Sequence, residues 1–198
     1  MSQYFDNDPS LKHVDLHYSF SLFGKEFTLK SDCGVFSKDG LDFGSKLLLE
    51  TICNLDLGDK ILDLGCGVGP IGLILAHASC TRKVTLVDVN LRALEACQIN
   101  SETLGVASQV EIFYSDIYSN ISTSFSSIVT NPPIRAGKEV TYSIYAGARD
   151  HLLNNGKLYL VIRKQQGALS ALKYLESIYS KVEILERKKG YYILAATK

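Results

Sequence analysis

From residue 60 onward, apolar residues alternate between short runs and sets spaced three and four apart, a rhythm that predicts strand–helix–strand units. Ile61, Leu62 and Leu64 form the first run, and a glycine cluster then leads into a helix over 71–78. Residues 84–88 give the second strand. A helix follows, with Leu91, Leu94, Ala96, Ile99 and Leu104 on its apolar stripe, Asn90 as its cap and Gly105 as its stop. Residues 110–114 and 126–130 read as the third and fourth strands. A helix over 138–153 ends at Asn154-Asn155-Gly156, a fifth strand covers 157–162, and a helix covers 167–179. Strands at 181–185 and 191–196 flank Lys188-Lys189-Gly190. Alternation of this kind builds a parallel sheet. The last connection is the exception, because a parallel crossover takes a dozen or more residues, so the final pair is antiparallel.

Upstream, Tyr18, Phe20 and Leu22 alternate with polar residues, as do Phe27 and Leu29, and the two sets flank Gly24-Lys25 as a hairpin. The aromatics of 18–36 read as a covering core rather than a base-stacking platform. Residues 1–17 form a loose lead-in. A turn-rich stretch, 36–45, feeds a helix carrying Leu47, Leu48, Leu49, Ile52 and Cys53, with Asp42 or Ser45 as its cap. The expected division is an N-terminal extension with the hairpin, 1–36, and one α/β domain, 37–198.

Composition narrows the function classes. The 198 residues are 46% hydrophobic and 21% charged, with no internal repeat and no linker after residue 36. Lys+Arg and Asp+Glu both total 21, so no global field advertises nucleic acid or a membrane, and any RNA or DNA contact must use a local patch. No apolar run approaches the ~20 residues of a membrane span, and the polar N-terminus lacks a signal-peptide pattern, so a cytoplasmic protein is expected. The five cysteines (Cys33, Cys53, Cys66, Cys80, Cys97) and four histidines (His13, His17, His77, His151) have no metal-ligand spacing. No metal site is expected.

The chemistry gathers at strand ends. Asp63-Leu64-Gly65-Cys66-Gly67-Val68-Gly69-Pro70 supplies glycines that let backbone approach a ligand, with Pro70 suited to the first helical turn. Cys66 reads as a packing residue. Gly67, Gly69 and Gly72 also match the dinucleotide pattern G-x-G-x-x-G, and Asp88 ends the next strand, placed to accept ribose hydroxyls. Those two features suit NAD as well as a nucleoside carrying a sulfonium. Asp63 helps to separate them, since an acid beside the glycines is hard to reconcile with a pyrophosphate and suits an amine or sulfonium. Asp116 follows the third strand, where it can accept from an adenine amine. At the end of the fourth strand stands Asn131-Pro132-Pro133-Ile134: the prolines cannot continue a ladder, and the pre-proline asparagine is held extended. Asp63, Asp88, Asp116 and Asn131 thus each stand at the carboxyl end of a strand, where open α/β sheets bind ligands.

On these motifs the chain resembles the Rossmann-like S-adenosylmethionine-dependent methyltransferases. It is similar in particular to their small-domain (MTS) family, which includes bacterial guanine-N2 methyltransferases of small-subunit ribosomal RNA. The stretches at 34–45, 131–138 and 156–159 carry that closer likeness, and the resemblance runs from about residue 18 to the C-terminus. It implies a seven-stranded, mostly parallel sheet with an antiparallel last strand. The implied cofactor is S-adenosylmethionine, leaving S-adenosylhomocysteine, held by Asp63, Gly65, Cys66, Gly67, Gly69, Asp88, Asp116 and Asn131. Asn131, Pro132, Pro133 and Ile134 are implied as the catalytic motif, with the Asn131 side-chain oxygen and the Pro132 carbonyl accepting from an exocyclic amine. Ile134 stands where many amine methyltransferases have Tyr or Phe. RNA is the implied partner, met by Lys38, Arg135 and Lys138, with Lys46, Arg163, Lys164, Lys188 and Lys189 as further candidates for a phosphate-binding face. The known ribosomal-RNA members carry a second, degenerate copy of the fold, and this chain has room for one. A protein glutamine or DNA adenine as methyl acceptor, an NAD oxidoreductase and a non-catalytic module are the competing readings, and the oligomeric state is open.

Overall fold

The protein is described here by a computed structural model covering residues 15–32 and 40–198. Residues 1–14 of the lead-in, Cys33 and the candidate Lys38 lie outside the described residues, while residues 15–17, expected to be loose, pair with 30–32 as the start of the first strand. In chain order the elements are β1 (Asp15–Leu22), β2 (Lys25–Asp32), α1 (Phe43–Ile52), β3 (Lys60–Leu64), α2 (Pro70–His77), β4 (Lys83–Asp88), α3 (Leu91–Thr103), β5 (Val110–Tyr114), β6 (Phe125–Thr130), α4 (Lys138–His151), β7 (Leu152–Arg163), α5 (Ala168–Ile178), β8 (Lys181–Lys188) and β9 (Tyr191–Thr197).

Seven strands form one sheet in the order β5-β4-β3-β6-β7-β9-β8. β3 to β7 are parallel, whereas β9 runs antiparallel to both β7 and β8. This is the mostly parallel seven-stranded sheet that the resemblance implies, with the short last connection between β8 and β9 forcing the reversal. Because strand side chains alternate between faces, each strand feeds two cores. Ile61, Leu86, Val129, Tyr159, Val161 and Ile193 join α1, α2 and α3. Their neighbours Leu62, Val87, Ile128, Leu158, Leu160 and Leu194 join α4 and α5. Nearly unbroken apolar runs are what a sheet covered on both faces requires.

β1 and β2 make a separate hairpin with Leu22 paired to Lys25. Its turn is Phe23-Gly24, one residue earlier than the Gly24-Lys25 expected. Both turn residues have positive φ, 51° and 73°, as a two-residue turn between twisted strands demands. The hairpin lies on the helical layer: Leu22 and Phe27 enter the core around α1 and α2, while Tyr18 and Leu29 pack with Val68, Ala93 and Ala96.

Two boundaries differ from the sequence reading. α4 stops at His151, because Leu152 is already extended and pairs with Phe125. The expected stop signal at Asn154-Asn155-Gly156 instead lies within β7, in a bulge between the pairs Phe125–Leu152 and Ser127–Lys157, with Asn155 at φ 62°. β8 runs on to Lys188 because a bulge between Ile184 and Glu186 lets the ladder resume. Among the described residues no helix is long and apolar enough to cross a membrane.

Candidate active site

The site begins where β3 gives way to α2. Gly65 and Cys66 both donate their N–H groups to Val87 O, at 2.9 and 3.0 Å, which turns the chain across the end of β4. Gly65, Gly67 and Gly69 have φ of 73°, 55° and 88°, all in the region that excludes a Cβ at low energy. The loop glycines nevertheless serve two ends. A Cβ at Gly69 would come within 2.6 Å of Cys97 Sγ, and one at Gly72 within 2.7 Å of Leu86 Cδ2, so those two allow close packing. A Cβ at Gly65 or Gly67 would meet nothing within 4 Å. At those two positions the bare backbone borders open space, as a cradle for a ligand must.

Asp63 is 1% exposed and holds that loop from beneath. Its Oδ2 accepts from Gly72 N at 2.7 Å, satisfying an amide in the first turn of α2 that the Gly69 cap cannot reach. Its Oδ1 is buried without a partner. Burial pushes the Asp63 carboxyl up to about 7; the Gly72 N–H opposes that rise and the charge of Asp88 adds to it. A buried acceptor with no donor is the kind of group that a ligand amine satisfies. Asp88 also binds the scaffold, with Oδ2 accepting from Gly67 N at 2.8 Å and Oδ1 from Asn90 N at 2.9 Å. Asn90 in turn caps α3 through Ala93 N. Cys66 is buried, gives its thiol to Gly67 O, and has its pKa raised by burial first and by Cys97 second, which makes it a packing group and a poor nucleophile. Asp116 is exposed beyond β5, tied only through its backbone to Ser119. Its neighbour Ser115 donates to Asp88 O at 3.1 Å, which keeps Asp116 on the same edge.

β6 delivers Asn131 to that edge. Its Nδ2 donates to Ser45 Oγ at 2.9 Å and lies 3.3 and 3.4 Å from the two Asp42 carboxylate oxygens. Amide orientation is ordinarily inferred from such partners, and here an acceptor-only carboxylate requires the NH₂ to face it. The Asn131 oxygen therefore points away, with no donor among the described residues. Asp42 caps α1 with the same carboxylate, accepting from Gly44 N and Ser45 N. Asp42 and Ser45 were visible in the sequence only as cap candidates; their hold on Asn131 spans 89 and 86 positions.

Pro132 departs from expectation. Its carbonyl is not a free acceptor, because Ile134 N donates to it at 2.8 Å around Pro133 at φ −75°, ψ 75°. That is an inverse γ-turn, and it leaves the carbonyl one lone pair. Ile134 forms one wall of a cavity of about 270 Å³ whose other walls include Lys138, Tyr142 and Tyr145. Tyr142 stacks on Tyr174 with centroids 4.0 Å apart, and the Lys138 ammonium lies 5.0 Å from the Tyr142 ring. Arg135, next to Ile134 in the chain, is exposed. No group of His, Cys, Asp and Glu among the described residues is arranged to hold a metal ion.

A family model described as methyltransferase small domain matches residues 26–195. The chain is 45% identical over 197 residues to the uncharacterized protein YbxB of Bacillus subtilis, covering 98% of each. It is 35% identical over 188 residues to ribosomal RNA small subunit methyltransferase C of Vibrio parahaemolyticus, covering 91% of this chain and 52% of the relative. Among solved structures, the 16S rRNA N2 methyltransferase RsmC of T. thermophilus, in complex with AdoMet and guanosine, superposes with a TM-score of 0.83 at 28% identity, over 96% of this chain and 52% of that one. The chain thus spans about half the length of the ribosomal-RNA methyltransferases it matches.

Proposed function

Because this chain belongs to the methyltransferase small domain family, whose cofactor is S-adenosylmethionine, we propose that its strand-end site methylates an exocyclic amine, and that this amine is guanine N2 of ribosomal RNA. The observation that carries the reading is the orientation of Asn131, whose NH₂ is held by Ser45 and Asp42 so that its oxygen faces outward as an acceptor. An aromatic amine is a poor nucleophile because its lone pair is delocalised into the ring. Accepting one N–H at Asn131 Oδ1 and the other at the remaining lone pair of Pro132 O favours a pyramidal nitrogen with its lone pair directed at the methyl. Holding that geometry supplies much of the acceleration. The γ-turn fixes the Pro132 carbonyl in place, and Asn131 is fixed through α1.

S-adenosylmethionine supplies an electrophilic methyl on a sulfonium. The residues present fit it: Gly65 and Gly67 border open space, the unpaired Asp63 Oδ1 suits its amine, and Asp88 suits its ribose. Asp116 is assigned to the adenine amine. The proton is lost from the methylated nitrogen after transfer, so no strong base is needed. A ribosomal substrate places the reaction in the cytoplasm, and the match to ribosomal-RNA methyltransferases in both sequence and structure supports that substrate.

The test is transfer of tritiated methyl to ribosomal subunits, DNA and protein from a strain lacking the gene, followed by nucleoside and amino-acid analysis. N2-methylguanosine from the small subunit is expected. Label in adenine of DNA or in protein glutamine would reassign the substrate, and label nowhere would sink the reaction.

A further inference from the structure

Beside the amine motif, β7 and β8 end and β9 begins. Arg163 pairs in register with Tyr191, and Tyr191 with Lys188, placing two cations on one row either side of a tyrosine. Lys164 N donates to Gly190 O at 2.8 Å, which fastens the segment after β7 to the β8–β9 turn. The Arg163 guanidinium carbon lies 4.6 Å from the Tyr191 ring and the Lys189 ammonium 5.1 Å from the Phe43 ring, and the two rings are 5.2 Å apart. Phe43 opens α1 directly after Asp42, the residue that holds Asn131. Arg163, Lys164, Lys188 and Lys189 are all exposed, and no carboxylate pairs with them among the described residues. Lys189 also sits at φ 50° in a two-residue turn where Asn or Gly is the usual occupant. A side chain kept there against its backbone preference, in a protein of zero net charge, points to a use for its ammonium.

We propose that Arg163, Lys164, Lys188 and Lys189, backed by Phe43 and Tyr191, form the face that grips the single-stranded RNA flanking the target nucleotide, the cations meeting phosphates and the ring-supported guanidinium offering a stacking plane to a base. This deepens the function proposed above and rests on it for the identity of the polyanion. Unpaired bases are recognised by aromatic and guanidinium stacking, and phosphates by cations whose binding releases counterions. The face also supplies π-surface that Ile134 lacks.

Binding of a fluorescein-labelled single-stranded RNA in the presence of S-adenosylhomocysteine, read by anisotropy across a salt series, tests this. Lys188→Gln/Lys189→Gln is expected to weaken binding about tenfold and to flatten the log–log salt slope by about 1.4, at ~0.7 per lost phosphate contact. Arg163→Gln is expected to flatten it by about half as much. The control Lys60→Gln/Lys83→Gln removes the same charge at the opposite sheet edge, where the two lysines sit in register, and should leave the slope unchanged. Equal losses in both double variants, unchanged slopes in all, no RNA binding by the parent, or polyglutamate bound as tightly as RNA would each overturn the assignment. Weakened RNA binding in the face variants of a protein that methylates nothing would fault the reaction alone. Guanine methylation by a parent whose face variants bind RNA normally would fault the face alone.

Discussion

At the scale of single residues, the Asp42 carboxylate joins structure to chemistry, because it both starts α1 and fixes the direction of Asn131. Asn131→Ala removes the acceptor and should lower kcat by about 10²–10³, the usual loss for one positioned polar group, with cofactor affinity within about twofold. Ser45→Ala keeps the acceptor but frees the amide to turn, so kcat should fall roughly tenfold with KM and cofactor Kd nearly unchanged; a purely structural role would move the melting temperature instead. Asp63 carries a pH signature. Its folded pKa of about 7 lies above the usual carboxylate value, so between about pH 4 and 7 the folded state binds more protons than the unfolded one. Its contribution to stability is therefore lost as pH rises through that window. From pH 5 to 7, denaturant melts should show wild type losing roughly 2 kcal/mol relative to Asp63→Asn; parallel profiles would contradict the assignment. Asp63, Asp88 and Asn131 were legible in sequence because each ends a strand. The partners of Asn131 were not, since hydrogen bonds spanning nearly ninety residues leave no local pattern.

At the scale of elements, the glycine loop is held from outside by α3 and the hairpin. Asn100, in α3 and 1% exposed, accepts from Lys30 N at 2.7 Å and donates to Lys30 O at 3.0 Å and Val68 O at 2.9 Å. One side chain thus ties β2 to the glycine loop. Asn100→Ala would remove these three bonds and should destabilise the fold by roughly 3 kcal/mol. Titration calorimetry should also show weaker S-adenosylhomocysteine binding. Unaltered affinity would mean that the hairpin merely covers the helices. Gly67→Ala and Gly69→Ala separate cradle from packing. The first should leave melting within a few degrees while lowering cofactor affinity at least tenfold; the second should chiefly unfold the protein, because its methyl collides with Cys97 and Leu73. Helix and strand identities were legible because period 2 and period 3.6 differ sharply. The α4–β7 junction was not: Asn154-Asn155-Gly156 has stop-signal composition, yet ladder pairing at Leu152 had already ended the helix. Asn100 likewise looked like any polar residue on a helix, its role set by a hairpin 70 positions away.

At the scale of the whole molecule, two cores on one sheet make the body, and the carboxyl edge of that sheet carries Asp63, Asp88, Asp116 and Asn131. Fold class could be read early because it depends on the order of elements. The choice between cofactors could not be read from the glycines, which satisfy the dinucleotide pattern too, and rested on Asp63. The structure sharpens that choice, since a buried carboxyl oxygen with no donor is satisfied by a ligand amine and not by the acceptor oxygens of a pyrophosphate. Ligand linkage turns this into a measurement on the intact chain. A ligand that binds only the folded state at 100 times its Kd adds about 2.7 kcal/mol, and for a chain of this size each kcal/mol raises the melting temperature by about 2–4 °C. S-adenosylhomocysteine should therefore raise Tm by about 5–10 °C. NAD at the same concentration should leave it unchanged, and Asp63→Asn should reduce the shift. A rise with NAD and none with S-adenosylhomocysteine would give the glycine loop to a dinucleotide and remove the methyl donor from the site.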